Sequence, residues 1–449
     1  MMCALNFVEK CMWKIILLVV WGLFSFNVNA KVLDVHGFEL DNGLKVAVVS
    51  NHKAPVGMLK IYYKVGAVND PVFKGGIAHL LEHMMFRGTK KVKDKEFNLI
   101  TEENGAVSNA YTTYSHTGYY EFLDVSKLEL MLALEADRMK NIVIDDQKFI
   151  KERDVVLEER MQRFETNPVT KFYEQLNKVF WQKHPYSRPV SGEIEEIKGL
   201  EKQDALDFYK NYYRPDNAIM VIAGDIVFDE ARSIVSKYFS NIKNKGNEKK
   251  VVEMPKLLAS EGAFSMKMDG VNQPRFVSYW HLGNGEFSKK EILALEYFSE
   301  YLSGDDTAYL YDKLIYKDKK FLSIGVSVDY DDNLGGKISF FAVPKDGMMS
   351  IDEMKDIILG EIEKGIDEIS QEKLEEIKSE TLSDVVYMLE NPQNMAEYVG
   401  AMMLGGYSFE EIMNYDEMIK DIEIIDIKNA WNKVLNADRR KIYSYLTTK

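Results

Sequence analysis

The chain has 449 residues, of which 46% are hydrophobic, and it carries a formal net charge of −14 at pH 7. That length exceeds one typical hydrophobic core and predicts at least two folded domains. The excess of acidic residues argues against nucleic acid as a partner and is compatible with neutral or basic peptides.

The first thirty residues have the pattern of a secretory signal. Lys10 and Lys14 flank an apolar core over residues 15–24, and Val28-Asn29-Ala30 forms a small-x-small cleavage pattern. We predict cleavage after Ala30 and export to the periplasm or beyond the cell. An uncleaved anchor is the alternative, although the apolar run is shorter than the roughly 20 residues that a span needs. No later stretch is apolar enough to cross a bilayer, so no stable span is expected after cleavage.

Both cysteines, Cys3 and Cys11, lie within this signal. The mature chain is therefore expected to lack disulfides, a cysteine nucleophile and thiolate metal ligands. Core packing must hold it together.

Two halves of similar length follow the signal. We predict a first domain over 31–240, a linker over 241–255 in a polar, lysine-rich stretch, and a second domain over 256–449. In the first domain, "FELDNGLKVAVVS" places apolar runs on both sides of Asp41-Asn42-Gly43 and predicts a hairpin. Further strands are predicted at "VGMLKIYYKVGAV" and "DNAIMVIAGDI", with helices between them.

The second domain repeats this plan. "RFVSYWHLGNGEFSKKEILALEYFSEYLSG" reads as a strand, a glycine turn and a helix, and it is similar to "KIYYKVGAVNDPVFKGGIAHLLEHMMFRG" in the first. The helix of the second half carries Glu296, Tyr297 and Glu300 but no histidine pair. The predicted fold class is α+β, with two homologous domains of which only the first bears the chemistry.

The segment "HLLEH" (residues 79–83) carries the strongest chemical signal. On a helix, an apolar stripe forms at Ile77, Leu80, Leu81, Met84 and Met85. A second stripe contains His79, Glu82, His83 and Phe86, and Gly88 is a natural stop.

Histidines four residues apart lie one helical turn apart on one face, so His79 and His83 can reach one metal ion. Glu82 lies on the same face and can act as a general base towards the attacking water. The alternative is an ordinary solvated polar face. A catalytic zinc site also needs a third protein ligand from another element.

The helix predicted at "KERDVVLEERMQRFE" offers candidates for this third ligand. Glu152 and Glu159 lie seven residues apart on one face. One of them could bind the metal while the other orients a ligand. Taken alone, both are also compatible with surface glutamates.

The sequence resembles the pitrilysin/insulinase family of zinc peptidases, in particular its smaller, processing-peptidase-like bacterial members. The match covers nearly the whole mature chain and rests on a series of ordered motifs: "DNGLKVAVV", "GGIAHLLEHMMFRGT", "NGAVSNAYTTYSHTGYY", "ERDVVLEER", "HPYSRPVSG" and "NYYRPDNAIMVIAGDI". The resemblance implies two α+β domains that face each other around a peptide chamber. It also implies an endopeptidase that hydrolyses peptides or unfolded segments and holds one Zn²⁺ per chain.

Residue by residue, the resemblance makes His79 and His83 zinc ligands and Glu82 the general base. Of the two adjacent glutamates in "VVLEER", it makes Glu159 the third ligand, and it gives Glu152 the role of orienting a ligand. It further implies that an edge strand pairs with extended substrate through residues Ala106, Val107, Ser108, Asn109 and Ala110. A structural role in a turn or at the strand edge is the alternative for Asn109.

One region departs from the family pattern. Many complete members carry an arginine and, seven residues later, a tyrosine that hold the substrate carbonyl, but "SGDDTAYLYDKLIYKDKKFLSIGV" contains no arginine. Tyr309, Tyr311 and Tyr316 do not recreate the pair. We expect a homologous subunit to supply it, or otherwise a self-sufficient chain or homodimer. A non-catalytic or assembly subunit is the second functional hypothesis.

Overall fold

A computed structural model describes residues 34–244, 254–347 and 349–449. The predicted signal over 1–30 lies outside these residues, as does most of the predicted linker over 241–255. Within the described ranges, every helix is too short or too polar to cross a membrane.

The first half builds a six-stranded sheet in the order β1-β2-β6-β3-β5-β4. All neighbouring strands are antiparallel except β2 and β6. The strands are β1 (Val35–Glu39), β2 (Lys45–Ser50), β3 (Val56–Tyr63), β4 (Val107–Thr112), β5 (Thr117–Asp124) and β6 (Ala218–Gly224).

The predicted hairpin is confirmed by the antiparallel pairing of β1 with β2. Gly43 adopts a φ of 87°, and its N–H donates to the carbonyl of Leu40 at 2.7 Å. Glycine suits this turn because the left-handed conformation disfavours residues with a Cβ.

The second half builds a five-stranded sheet in the order β7-β11-β8-β10-β9. Only β7 and β11 are parallel neighbours. The strands are β7 (Ser260–Met268), β8 (Arg275–Leu282), β9 (Phe321–Asp331), β10 (Gly335–Pro344) and β11 (Arg440–Thr448). This order repeats β2-β6-β3-β5-β4 strand for strand, with the parallel pair in the same place, which confirms the α+β fold class and the repeated plan.

Helices cover both sheets. In the first half they are α1 (Ile77–Met84), α2 (Glu96–Glu103), α3 (Leu128–Asn141), α4 (Asp146–Arg160), α5 (Pro168–Trp181), α6 (Ile194–Lys198), α7 (Lys202–Tyr212) and α8 (Phe228–Phe239). In the second half they are α9 (Lys289–Ser303), α10 (Ile351–Glu368), α11 (Gln371–Met388), α12 (Pro392–Leu404), α13 (Phe409–Met413), α14 (Tyr415–Lys420) and α15 (Ile424–Asn436).

Two helices pack on the sheet of the opposite half. Helix α5 lies against β11, where the Arg440 guanidinium donates to the carbonyls of Phe180 at 2.7 Å and Val179 at 2.6 Å. Helix α12 lies against β3 and β6, where the Tyr62 hydroxyl donates to the carbonyl of Ala396 at 3.2 Å. The proposed boundary therefore separates the two sheets, while α5 and α12 interlock the halves.

A cavity of about 590 Å³ lies between the halves. Residues 113–116, which follow β4, form part of its wall, together with Trp181 and Tyr186. Residues 328–331 of β9 and 335–337 of β10 form the wall from the second sheet. One edge strand of each sheet, β4 in the first and β9 in the second, thus ends at the same cavity.

Candidate metal centre

Helix α1 carries the HLLEH segment and forms as predicted. The members of its apolar stripe are each at most 1% exposed, and they are Ile77, Leu80, Leu81, Met84 and Met85. This burial fixes the rotation of the helix, so the second stripe with His79, Glu82 and His83 must face away from the core centre.

The regular helix ends at Met84, four residues before the predicted stop at Gly88. The next turn is tighter, because Phe86 N–H donates to the carbonyl of His83 at 3.2 Å and Arg87 N–H to that of Met84 at 3.0 Å. Such i→i+3 bonds commonly close a helix. Gly88, with a φ of 102°, then redirects the chain.

Asp70 holds the beginning of α1. Its carboxylate accepts from the N–H groups of Gly76 at 2.7 Å and Ala78 at 3.1 Å. Burial raises the pKa of Asp70 to about 7, against the opposing effect of these two N–H groups. Arg188 donates to the Asp70 carbonyl at 3.0 Å and fixes the loop. The beginning of the candidate metal-binding helix is therefore anchored by Asp70.

His79, His83 and Glu159 come together as a group of potential metal ligands. One donor atom from each lies within 4.8 Å of the others, and the two imidazole rings are 4.8 Å apart. His83 Nε2 lies 3.5 Å from Glu159 Oε2. A tetrahedral ion with bonds of about 2.0–2.2 Å separates two ligand atoms by about 3.4 Å. This pair therefore already has the spacing of two zinc ligands.

The environment of His79 favours a neutral ring that can bind a metal. Burial, with smaller contributions from His83 and Arg163, lowers the pKa of His79 to about 3. Its Nδ1 is buried without a hydrogen-bond partner among the described residues. An unpaired buried imidazole nitrogen is costly, and metal ligation at the ring is one way to offset that cost. The donor set thus fits a divalent transition metal such as zinc.

His83 is oriented from its other ring nitrogen. Its Nδ1 lies 3.6 Å from Glu152 Oε2, and Glu152 Oε1 accepts from Arg87 at 2.6 Å. Burial acts to lower the pKa of His83. The negative charges of Glu152, Glu82 and Glu159 have a larger opposite effect, so the pKa is raised overall. Burial acts to raise the pKa of Glu152, but the nearby His83 ring and the bound Arg87 guanidinium hold that pKa below its usual value. This arrangement directs Nε2 towards the metal position.

Glu159 lies in the last turn of α4, just before a π-helical turn over Met161–Glu165. Its second oxygen, Oε1, accepts from Arg163 at 2.6 Å. Sequence reasoning missed Arg163, although its i,i+4 spacing from Glu159 could have revealed the pair. The bond leaves Oε2 facing His83.

Glu82 projects from α1 beside this cluster and is 9% exposed. Its Oε2 accepts a 2.6 Å hydrogen bond from the Thr112 hydroxyl at the end of β4. Burial raises the pKa of Glu82, although the Thr112 hydrogen bond and the charge of His83 oppose that effect. A raised carboxyl pKa suits a group that must accept and return a proton near neutral pH.

The predicted substrate-binding residues lie on and beside β4. This strand pairs only with β5 in its sheet and is therefore an edge strand that contacts α1. Val107 and Asn109 are exposed, whereas Ser108 and Ala110 are half-buried. Ala106 precedes the strand and is buried. The Asn109 side chain accepts from the N–H of Ala110 at 2.8 Å.

In the described ranges, His79, His83 and Glu159 form the single cluster with metal-ligand spacing. The corresponding helix of the second half, α9, contains no histidine. The segment over residues 303–326 lacks the arginine and tyrosine pair of the family pattern. Of the tyrosines in this segment, Tyr309 is buried and Tyr316 is 53% exposed.

Comparison with known proteins also distinguishes the first half, which carries the candidate metal ligands, from the second half. Residues 45–193 match the model of the insulinase family (peptidase family M16). Residues 199–381 match the model described as the peptidase M16 inactive domain. The first match contains His79, His83 and Glu159, and the second covers much of the half whose described residues hold no such group.

Individual relatives match this chain over different lengths. The chain is 28% identical over 427 residues to the zinc protease PqqE of Helicobacter pylori, which covers 93% of this chain and 94% of that protein. It is 31% identical over 203 residues to the probable mitochondrial-processing peptidase subunit beta of Schizosaccharomyces pombe, covering 45% and 44% respectively. The crystal structure of a protease from Helicobacter pylori has a TM-score of 0.80 at 25% identity, covering 92% of this chain and 99% of that one.

Proposed function

Because the chain belongs to the insulinase family of M16 peptidases, we propose that it is a zinc-dependent endopeptidase acting on peptides and unfolded protein segments. One observation carries the proposal: His79, His83 and Glu159 converge within 4.8 Å beside the buried carboxylate of Glu82. A helix surface needs no such set for stability, whereas metal-dependent hydrolysis needs all four groups.

One Zn²⁺ per chain would be held by His79, His83 and Glu159. The ion, when bound, supplies Lewis-acid polarisation of a substrate carbonyl and acidifies a water. Glu152 orients the His83 ring, and Arg163 orients the Glu159 carboxylate. Because catalytic zinc sites use three protein ligands, these three residues would suffice to hold the ion and would leave access for water or substrate.

Glu82 acts as the general base. Thr112 occupies its Oε2, so Oε1 is the oxygen that accepts the proton of the attacking water. The same carboxyl then delivers that proton to the leaving amine. The buried position excludes bulk water from this transfer.

The edge strand β4 would bind substrate backbone by strand addition. The outer edge of β4 pairs with no other strand of its sheet and lies close to α1, so residues Ala106 to Ala110 are the proposed contact with substrate backbone. The neighbouring cavity of about 590 Å³ is far too small for a folded domain, whose radius of gyration is about 13 Å at 100 residues. Extended peptides and unfolded segments are therefore the proposed substrates.

The proposed place of action is outside the cytoplasm, in the periplasm or the secreted fraction. This proposal rests on the basic flank, apolar core and small-x-small pattern of residues 1–30. It agrees with the expected absence of cysteine in the mature chain. Cleavage is proposed after Ala30, which leaves the first domain to begin at residue 31.

A non-catalytic or assembly subunit is the second candidate function. It is favoured by the absence of arginine from the segment over residues 303–326 and by the match of residues 199–381 to a domain described as inactive. The complete ligand and base set in α1 and α4 favours the peptidase.

The proposed activity is tested with the purified chain and a mixed peptide library. We expect cleavage at internal peptide bonds that stops with a chelator and returns after zinc is added. Mass spectrometry of the products separates endopeptidase from exopeptidase activity. Cleavage that continues after complete metal removal would exclude a zinc mechanism.

A homologous subunit is expected to raise the activity of this chain. The chain lacks the arginine and tyrosine that the family uses to hold the carbonyl oxygen, and loss of one oxyanion donor typically costs about 10²–10³ in rate. We propose a partner that carries the Arg/Tyr pair and lacks the HxxEH motif. Adding it to the purified chain should increase the rate of peptide cleavage by a comparable factor.

The control is the same partner with its arginine changed to alanine, which should bind but not activate. A self-sufficient chain or homodimer is the competing account, in which exposed Tyr316 or a backbone amide donates to the oxyanion. Tyr316→Phe tests that account in the isolated chain. Full activity without any homologue, lost in Tyr316→Phe, would replace the heterodimer by a self-sufficient enzyme.

A further inference from the structure

The last residue of the edge strand β4 touches the general base. Side chains of a strand alternate between its two faces, so Ser108, Ala110 and Thr112 share the face that packs on α1. From this face the Thr112 hydroxyl donates to Glu82 Oε2 at 2.6 Å. The strand proposed to bind substrate and the proposed base are thereby joined by one hydrogen bond.

The position of Thr112 is fixed from several directions. Its backbone pairs with Thr117 of β5, and the preceding residue, Tyr111, points to the opposite face of the sheet. There the Tyr111 hydroxyl donates to Glu397 of α12 at 3.4 Å, and the Lys60 ammonium lies 5.1 Å from the centre of the Tyr111 ring. Contacts from both halves therefore hold the end of β4.

A fixed donor restricts the carboxylate of Glu82. A glutamate side chain has three rotatable torsions, and proton transfer needs its accepting oxygen within about 2.6–3.2 Å of the proton donor. The Thr112 bond removes much of this freedom by fixing Oε2. Oε1 is then held in one orientation relative to the ligand cluster.

We propose that Thr112 is a positioning residue that orients the Glu82 carboxylate. Through Thr112, the strand that pairs with substrate also sets the orientation of the base. This inference rests on the proposed function and deepens it. A peptide that extends β4 runs alongside the strand whose last side chain holds the base. The register of the substrate peptide and the orientation of the Glu82 carboxylate are then both set by β4.

Thr112→Val tests the proposal, because it removes the hydroxyl and keeps a branched side chain of similar size. Hydrogen bonds to charged groups correspond to about 10- to 100-fold in an equilibrium or rate. We expect kcat to fall by about this factor, with KM within about twofold of the wild type and zinc content unchanged. Thr112→Ser, which retains a hydroxyl, should restore most of kcat.

Thr117→Val is the matched control. Thr117 lies opposite Thr112 in the β4–β5 pair, and its buried hydroxyl donates to the carbonyl of Val65 at 2.9 Å. The same chemical change there should lower the unfolding temperature and leave kcat intact. An equal loss of kcat in Thr117→Val and Thr112→Val would show a general effect on the sheet and overturn the proposal.

The remaining outcomes are equally decisive. Unchanged kcat in Thr112→Val, or failure of Thr112→Ser to rescue it, would exclude a positioning role while leaving the peptidase intact. A wild type that binds zinc but cleaves no peptide, either alone or with the homologous subunit, would instead overturn the proposed function, and with it this inference. Zinc content and wild-type cleavage, measured first, distinguish the two failures.

Discussion

Glu82→Gln is expected to reduce peptide cleavage by several orders of magnitude while zinc stays bound. The amide matches the carboxylate in size, and its oxygen can still accept from the Thr112 hydroxyl. It cannot take a proton from water, and a positioned general base contributes typically about 10²–10⁴ in rate. The burial that raises the pKa of Glu82 suits this carboxyl to the task. Steady-state cleavage and metal analysis on the same preparation measure both parts.

Zinc content is the internal control for Glu82→Gln, because retained zinc shows that α1 and the ligand cluster are intact. The unfolding temperature should also stay close to that of the wild type. Cleavage at the wild-type rate would assign the proton transfer to another group. Loss of zinc would indicate that Glu82 is needed for metal binding.

His79→Ala and His83→Ala are expected to abolish tight zinc binding, and Glu159→Gln to weaken it severely. Each change leaves two protein ligands where a catalytic zinc site uses three. Cleavage should fall with zinc content, because the same ion supports the reaction. A bound metal also stabilises the folded state by mass action, so these variants should unfold at lower temperature. Metal analysis after dialysis against a weak chelator, with thermal unfolding, measures these effects.

Glu158→Gln is the matched control for Glu159→Gln. Glu158 precedes Glu159 on α4 but is exposed, and its carboxylate accepts from Gln162 at 2.9 Å. It should retain zinc and activity. Full zinc retention in His79→Ala, His83→Ala and Glu159→Gln together would place the metal elsewhere.

Local patterns in the sequence predicted the elements that carry the site. The apolar stripe from Ile77 to Met85 fixed the rotation of α1, and its burial in the structure follows from that stripe alone. The turn at Gly43 is likewise a local property of its residues. The repeated plan of the two halves, though not the order of their strands, was predicted from the similarity between two segments of the chain, each long enough to include a strand and a helix.

Local sequence patterns could not predict contacts between elements that are distant along the chain. Thr112 and Glu82 are 30 residues apart, and only the packing of β4 on α1 brings them together. The crossing of α5 and α12 onto the opposite sheets also depends on tertiary packing, since either helix could have covered its own half. The choice of Glu159 over Glu152 as the third ligand required the family resemblance, because both lie on the same face of α4.

The most direct test of a zinc-dependent peptidase is zinc content and peptide cleavage measured together on the wild type, Glu82→Gln and His83→Ala. We predict one zinc per chain with cleavage in the wild type. Glu82→Gln should keep the zinc without cleavage, and His83→Ala should lack both. Cleavage at the wild-type rate in either variant would contradict the account.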